Sequence, residues 1–417
     1  MPPVTWPNGF TRDVEMNRRP LPDLHNVSRL LIIRLSAIGD VIHALPLASA
    51  LKDAYPHLEI SWLVEEIPAD VVLGNPDLKR VIVVPRSRWK QGRTHSPRVW
   101  REYLAFLAHL RAQRFDVTID LQGYAKSALY ALATGARYRL GWWRMRDGAN
   151  LVSRPLPRCP ESVHRVDWFL DVARSLGIEN PRVRFPLHIP QAARQRVREM
   201  LARAGIGPGV RYAVINQAAG NPPRRWGLKQ FGALTSQLAQ RYRLSAVLIG
   251  TLPEAMDCDA IVRQVTTELR MRGVTDMPPP VNLAGKTTLK ELAALLEGCS
   301  LHISGDTGST HLAAALGIPV VAFYGSTDPA HAGPWGQSDH VLDRRDLCSP
   351  ICTIRRCVYA VTGSASVRDG YACSAMDRSE NSDGSETVSA RCLAAITVEQ
   401  ALTTVDQIIQ SLRPPLD

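Results

Sequence analysis

Apolar residues are unevenly spaced along the chain, and the spacing changes character several times. Residues 29–35 form a compact run rich in Leu and Ile, a length that suits a strand buried on both faces of a parallel sheet. A short turn at 36–40 leads into helical spacing over residues 41–54. Strand-length runs recur at 59–64, 81–85 and 115–121, with helical stretches between them. One such stretch, 98–113, places Trp100, Tyr103, Leu104, Leu107 and Leu110 on a single stripe. This alternation predicts a parallel sheet covered by helices on both faces.

A proline-bounded extended segment at 181–190 breaks the pattern, followed by a helix at 191–204 and a Gly-Pro-Gly turn. The alternation then restarts, with strands expected at 212–216, 246–250, 281–283, 301–304 and 320–324 and helices at 289–298 and 310–316. The chain therefore reads as α/β, with two doubly wound parallel-sheet halves of similar size. Residues 1–25 read as a flexible tail, 26–188 as the first half and 205–417 as the second. Within the second half, 358–391 is dominated by Gly, Ser, Asp and Thr and reads as a flexible insertion. Residues 398–412 read as a helix with the apolar face Leu402, Val405, Ile408, Ile409 and Leu412.

A length of 417 residues fits about two or three domains. With 45% hydrophobic and 21% charged residues, the composition is that of a soluble globular chain. The longest apolar candidate, 312–324, is interrupted by Gly317 and Pro319, which excludes a conventional membrane helix. The first 25 residues lack the apolar segment of a signal peptide, so a cytoplasmic location is expected. The net charge is +11, and residues 86–165 hold 16 basic against five acidic residues, an excess as large as that of the whole chain. Such a field favours an anionic partner (phosphates, a lipid headgroup surface or nucleic acid), or is simply a solvated Arg-rich face. Cys348, Cys352, Cys357, Cys373 and Cys392 cluster late without a CxxC spacing, so metal or redox chemistry is only weakly indicated.

Three segments carry candidate chemistry. Ser304-Gly-Asp-Thr-Gly-Ser-Thr-His311 follows a strand and opens a helix. Free N–H groups at a helix start make a natural phosphate site, where Gly308 permits close approach and Thr307, Ser309 and Thr310 offer hydroxyls. Asp306 could instead cap the helix, and His311 could be a packed histidine. Ser36-Ala-Ile-Gly-Asp40 lies at the first strand's carboxyl end, where a doubly wound sheet faces its ligand. Asp40 there suits a general base or, equally, a helix cap. Arg224 and Arg225 sit on a turn beyond the strand at 212–216, placed either to neutralise a diphosphate or merely at the surface. The first turn is not GxGxxG, and only Glu65 and Glu66 approach the ribose-binding acid of a dinucleotide fold, which disfavours an oxidoreductase. A non-catalytic RNA- or membrane-binding protein is a further alternative.

Together these segments resemble the ADP-heptose:lipopolysaccharide heptosyltransferases, glycosyltransferase family 9. The blocks 34–46, 305–319 and 323–329 carry most of the resemblance, and Trp62-Leu-Val-Glu-Glu66, Arg88-Trp-Lys90 and 119–127 look most like heptosyltransferase I. The resemblance implies a GT-B fold, two Rossmann-like domains facing a central cleft, with the C-terminal helix returning to the N-terminal domain. It implies metal-independent, inverting transfer of heptose from ADP-L-glycero-D-manno-heptose to a Kdo sugar on lipid A, with no cofactor; the alternative is a transferase of the same family with a different donor sugar or acceptor. Asp40 matches the family's proposed base. Asp306, Thr307, Gly308, Ser309 and His311 match its donor site, with Arg224 where a lysine is usual and Glu254 as a ribose contact. Gly39, Arg88, Lys90, Gln122 and Lys126 fall where the acceptor is expected. The implied partners are a nucleotide sugar, a phosphorylated glycolipid and an anionic membrane surface, with no nucleic acid, and the implied location is cytoplasmic, peripheral at the inner face of the inner membrane. Ala219, Gly220 and Gly227 depart from the usual residues, as does the insertion between Cys357 and Cys392.

Overall fold

The computed structural model describes residues 20–91, 96–219, 224–347, 378–380, 386–388 and 391–411. The run at the start of the alternation becomes β1 (Arg29–Ile33), whose last four residues are buried. It is central in a six-stranded sheet with β2 (Glu59–Glu65), β3 (Arg80–Val84), β4 (Val117–Asp120), β5 (Tyr138–Gly141) and β6 (Arg154–Pro155). The order is β3-β2-β1-β4-β5-β6, and every pairing is parallel.

A second sheet is built from β7 (Tyr212–Asn216), β8 (Ser245–Leu248), β9 (Val281–Asn282), β10 (Leu301–Gly305), β11 (Val320–Tyr324) and β12 (Val341–Asp343). Its order, β12-β11-β10-β7-β8-β9, repeats that of the first, again wholly parallel. Two doubly wound sheets in tandem are the expected GT-B architecture. Both strand sets turn their carboxyl ends toward loops, the position where such sheets bind ligands. Sequence spacing missed β5, β6 and β12, which are short and whose apolar runs are broken by Arg139, Arg154 and Asp343.

One continuous apolar core joins the halves. It runs from Leu45 and Leu47 of helix Ile38–Ala54 and Phe169 of helix Arg165–Ser175 to Leu295 of helix Leu289–Glu297 and Leu312 of helix Gly308–Ala315. The outer face of the first sheet has its own smaller core, including Leu31, Ile33, Phe115 and Tyr130. The outer face of the second is covered by helices Leu228–Tyr242, Ala255–Met271 and Val398–Ser411.

The C-terminal helix therefore does not return to the N-terminal half. Its buried residues Ala401, Leu402, Val405 and Ile408 join Phe231, Trp226 and Phe323 of the second half. Tyr242 Oη donates to Asp406 Oδ1 at 2.8 Å, and the approach to this helix is held where Trp226 Nε1 donates to the Ile396 carbonyl at 2.8 Å. A helix with one apolar face docks where that face finds the nearest uncovered sheet. Trp226 also stacks on Phe323 with ring centroids 4.0 Å apart. Trp226→Ala should accordingly cost about 3–5 kcal/mol, read as a fall in the urea midpoint.

The expected N-terminal tail ends too late: Leu24 is buried within a 3₁₀ turn, Leu24–Asn26, because its side chain packs into the first half's core. The expected insertion lies outside the described residues except for an antiparallel pair, Arg378–Glu380 with Glu386–Val388, and its last residue, Arg391, which opens helix Arg391–Ala394. Of the late cysteines only Cys392 is described, and it is buried, whereas Cys348, Cys352, Cys357 and Cys373 lie outside the described residues.

Candidate active site

A cleft of about 1200 Å³ opens where the two halves meet. The first half contributes Arg34, Ser36, Ala37, Gly39, Asp40, Gln122, Tyr124, Arg144, Arg146 and Arg165, and the second Arg224, Asp306, Thr307, Gly308, His311 and Thr327. Two helices present uncapped N-termini to it. Helix Ile38–Ala54 has Ala37 at its cap position and helix Gly308–Ala315 has Thr307, neither making a side-chain cap hydrogen bond. Their first-turn N–H groups and dipoles both favour negative charge in the cleft. Asp40 thus sits inside the first turn of its helix and is not its cap.

Glycine brings these two helix ends together. A Cβ on Gly39 would lie 2.4 Å from His311 Cδ2, and one on Gly308 would lie 2.9 Å from Ile38 Cγ2. Both positions exclude any side chain because each half packs against the other's backbone. Gly39 is therefore a seam residue facing His311, next to Asp40 in the chain.

Asp40 is ion-paired with Arg34 and Arg165. Burial alone would raise its carboxyl, but the two guanidiniums outweigh burial through charge and hydrogen bonding and hold it below the usual range. It is ionised at neutral pH. Arg34 is itself buried, and its Nη1 donates to the Leu121 carbonyl. Gln122 supports the same turn, its Oε1 accepting from the Leu35 and Ser36 N–H groups at 3.1 and 3.2 Å. That leaves Gln122 holding the loop that carries Asp40, with its amide at the cleft wall.

Across the cleft Arg224 pairs with Asp306 and donates to Thr327 Oγ1 at 2.9 Å. His311 Nε2 lies 3.6 Å from Asp306 Oδ1. Asp306 is thus held by an arginine and does not cap its helix. Thr307 lines the cleft, but Ser309 and Thr310 do not serve there. Ser309 is 6% exposed and its hydroxyl meets Asn216 Nδ2 at 3.1 Å, His302 Nε2 at 3.1 Å and Thr307 Oγ1 at 2.9 Å, while Thr310 donates to the Gly305 carbonyl. Their hydroxyls are consumed in shaping the loop, since a buried polar group must be satisfied.

The remaining expected residues are placed elsewhere. Glu254 folds back on its own turn, Oε2 accepting from the Thr251 N–H at 2.6 Å, and lies outside the cleft lining. Arg88 is a surface residue paired with Glu102 at 2.8 Å. Lys126 pairs with Glu65, which Arg86 also holds at 2.8 Å. Lys90 belongs to the same short helix as Arg88, but its side chain lies outside the described residues. Besides the expected Arg224, the cations that face the cleft come from residues not assigned to the site from sequence: Arg34, Arg144, Arg146 and Arg165. Arg34 could have been found, because a charged residue ending a buried parallel strand points at the ligand side. Arg165 is 125 residues from its partner Asp40, and no local pattern marks it.

Among the described residues no group of three or more His, Cys, Asp or Glu is placed to hold a metal ion, and no helix is long and apolar enough to cross a membrane. Histidines crowd the seam instead. His43, His164 and His311 pack edge to face, with centroids 5.2 Å apart for His43–His164 and 4.4 Å for His43–His311. Burial holds His164, His302 and His311 down to about 4. An unfolded histidine titrates near 6.5. Over that window the unfolded chain takes up protons that the folded chain refuses, so stability is whole above the upper value and falls as pH drops toward 4. Asp120, lifted by burial to about 6, softens the loss, because the folded chain keeps a proton there that the unfolded chain has shed. The urea midpoint should therefore be clearly lower at about pH 5 than at about pH 7.5; equal midpoints would contradict neutral burial of these rings.

Residues 103–359 match the profile of the family described as glycosyltransferase family 9 (heptosyltransferase). The chain is 29% identical over 317 residues to lipopolysaccharide heptosyltransferase 1 of Escherichia coli K12, spanning 75% of this chain and 92% of that protein. Among solved structures it is similar to E. coli heptosyltransferase WaaC with ADP, at 27% identity and a TM-score of 0.58, covering 75% of this chain and 92% of the other. A family 9 glycosyl transferase from Veillonella parvula shares the fold, with a TM-score of 0.69 at 21% identity over 92% of this chain and 97% of the other.

Proposed function

Because the chain belongs to glycosyltransferase family 9, the heptosyltransferases, and is a glycosyltransferase, we propose that it moves heptose from ADP-L-glycero-D-manno-heptose to a Kdo sugar of the lipopolysaccharide inner core, with inversion. One observation carries the reading. An ionised carboxylate from the first half shares a cleft with an uncapped helix N-terminus and an arginine from the second.

The step is an in-line displacement. Asp40 takes the proton of an acceptor hydroxyl, the oxygen attacks the anomeric carbon, and the bond to the diphosphate breaks. ADP leaves with its charge met by the Gly308 N–H, the helix dipole and Arg224. Arg34 and Arg165 keep Asp40 ionised but also weaken it as a base. An acceptor phosphate competes for those guanidiniums and restores basicity as it binds, so the base is strongest when substrate is present. Arg144 and Arg146, on the same wall, extend that anion-binding surface and replace Arg88 and Lys126 in the acceptor assignment. The donor contacts are Arg224, Asp306, Thr307, Gly308 and His311.

The outer face of the first half supports contact with an anionic membrane. Helices Pro97–Ala112, Ala125–Thr134 and Ala149–Val152 lie side by side, and Trp100, Leu104, Leu129, Leu132 and Leu151 are between 50% and 86% exposed. Leu110 is the one fully buried residue of the first of these helices. Exposed Arg98, Arg101 and Arg137 flank the patch. Apolar anchors with a basic rim suit a surface of anionic lipid, here the inner face of the inner membrane. Tyr124 joins this face to the cleft, giving a glycolipid a short route inward. The protein should co-sediment with vesicles containing anionic lipid and be released by salt. Leu104→Ser with Leu129→Ser and Leu132→Ser should abolish sedimentation while leaving ADP binding intact.

Mass spectrometry of the product from ADP-heptose and a Kdo-lipid acceptor tests the reaction. A mass gain of one heptose with release of ADP supports it, and unchanged acceptor in the presence of bound ADP refutes the assigned substrates.

A further inference from the structure

His43 is not among the donor or acceptor contacts assigned above, yet it is tied to one of them. It lies in helix Ile38–Ala54, is 2% exposed, and places its Nε2 3.1 Å from His311 Nδ1 on the opposite half. One of these two nitrogens carries the proton, and the surroundings decide which.

His43 Nδ1 is buried without a hydrogen-bond partner among the described residues. If Nδ1 carried the His43 proton, a buried N–H would be left with no acceptor, which proteins tolerate less often than an under-used acceptor. Nε2 of His43 is therefore the protonated nitrogen, and it donates to His311 Nδ1. That leaves the His311 proton on Nε2, which faces Asp306 Oδ1 at 3.6 Å. The reverse arrangement would aim a bare lone pair at that carboxylate, so the second ring independently selects the same tautomer. His164 repeats the pattern nearby. Its Nδ1 accepts from the Val166 N–H at 3.1 Å, which sends its Nε2–H across the seam to the Gly333 carbonyl at 3.1 Å.

The separation of 3.6 Å exceeds a hydrogen bond, so the His311 Nε2–H is aimed at the cleft but uncommitted there. Gly39 lies against the same edge of the ring, where even a Cβ would come within 3.1 Å of Nε2. We infer that His43 is a positioning residue for the glycosyl transfer: it fixes His311 in the tautomer whose Nε2–H meets an oxygen of the bound nucleotide sugar. The inference rests on the reading of this cleft as the donor site. Neutrality matters, because only a neutral His311 leaves Nδ1 free to accept, and burial keeps both rings uncharged.

The test uses the full chain labelled with ¹⁵N-histidine, the His311 signals being identified by their loss in His311→Asn. Without substrate, His311 should show a proton on Nε2 and a hydrogen-bonded bare Nδ1, and ADP should shift the Nε2–H resonance. His43→Gln, whose side-chain amide also donates, should keep this pattern and most of the turnover. His43→Leu should mix the two tautomers and lower kcat about 10- to 100-fold, with the acceptor KM nearly unchanged. A proton on His311 Nδ1 in the wild type, or unchanged spectrum and kcat in His43→Leu, overturns the inference. Should His43→Leu fail to fold, the wild-type and His43→Gln spectra still decide it. The expected spectra together with no heptose transfer by the wild type would refute the proposed reaction and leave the tautomer assignment standing.

Discussion

Asp40→Asn should lower turnover by about 10²–10⁴-fold, because asparagine cannot take the acceptor's proton. The isosteric amide keeps the shape of the first helical turn, so the loss is chemical. ADP affinity, measured by calorimetry, should stay close to wild type, since the nucleotide contacts come from the other half. The pH profile adds a second readout. Arg34 and Arg165 hold the Asp40 carboxyl below its ordinary range against the effect of burial, so it stays ionised well into mild acid. The acid limb of kcat/KM in the free enzyme should therefore lie below the usual carboxylate pKa, whereas kcat, measured with acceptor on the arginines, should show a limb at higher pH. Near-normal transfer by Asp40→Asn would remove it as the base, and identical limbs would remove the arginine competition.

Arg224→Ala carries the second large effect. It takes a cation from the departing diphosphate and leaves the Asp306 carboxylate, 15% exposed, without its ion-pair partner. Loss of one preorganised group of this kind lowers the rate by about 10²–10³-fold, and the exposed charge of Asp306 should also repel the nucleotide. ADP affinity and turnover should fall together, measured by calorimetry and by product mass. Arg224→Lys should restore affinity better than rate, because an ammonium supplies the charge without the planar fork that spans Asp306 and Thr327. An effect limited to the acceptor KM would place Arg224 on the wrong side of the cleft.

The fold was legible because its signals are local. β1 and β10 are apolar runs of strand length, and the helices beside them repeat at helical spacing, so hydrophobic burial alone dictates two wound sheets. The loops at 36–40 and 304–311 were legible for a related reason: a parallel strand must end at the ligand side, and a helix must start with free N–H groups. Asp40, Thr307 and Gly308 were singled out that way, whereas Asp306 and His311 were assigned to the donor site only by the resemblance. Glu254, Arg88, Lys126 and Ser309 were not recognised as structural, since each is defined by a partner: Thr251, Glu102, Glu65 and His302 respectively. Two of these pairs are close in the chain, but no periodicity tells a capping glutamate from a binding one.

By itself the sequence determined the α/β class, the two sheets, the strand-end loops and the family, because each follows from spacing along the chain or from contiguous motifs. Tertiary structure alone decided that Arg34 and Arg165 share Asp40, that Gly39 and Gly308 are seams between halves, that the last helix covers the second sheet, and that His43 faces His311. These depend on residues tens to hundreds of positions apart meeting in one desolvated space. There, burial and neighbouring charge set which groups are ionised and where each proton sits, and that information exists only once the two halves have packed together.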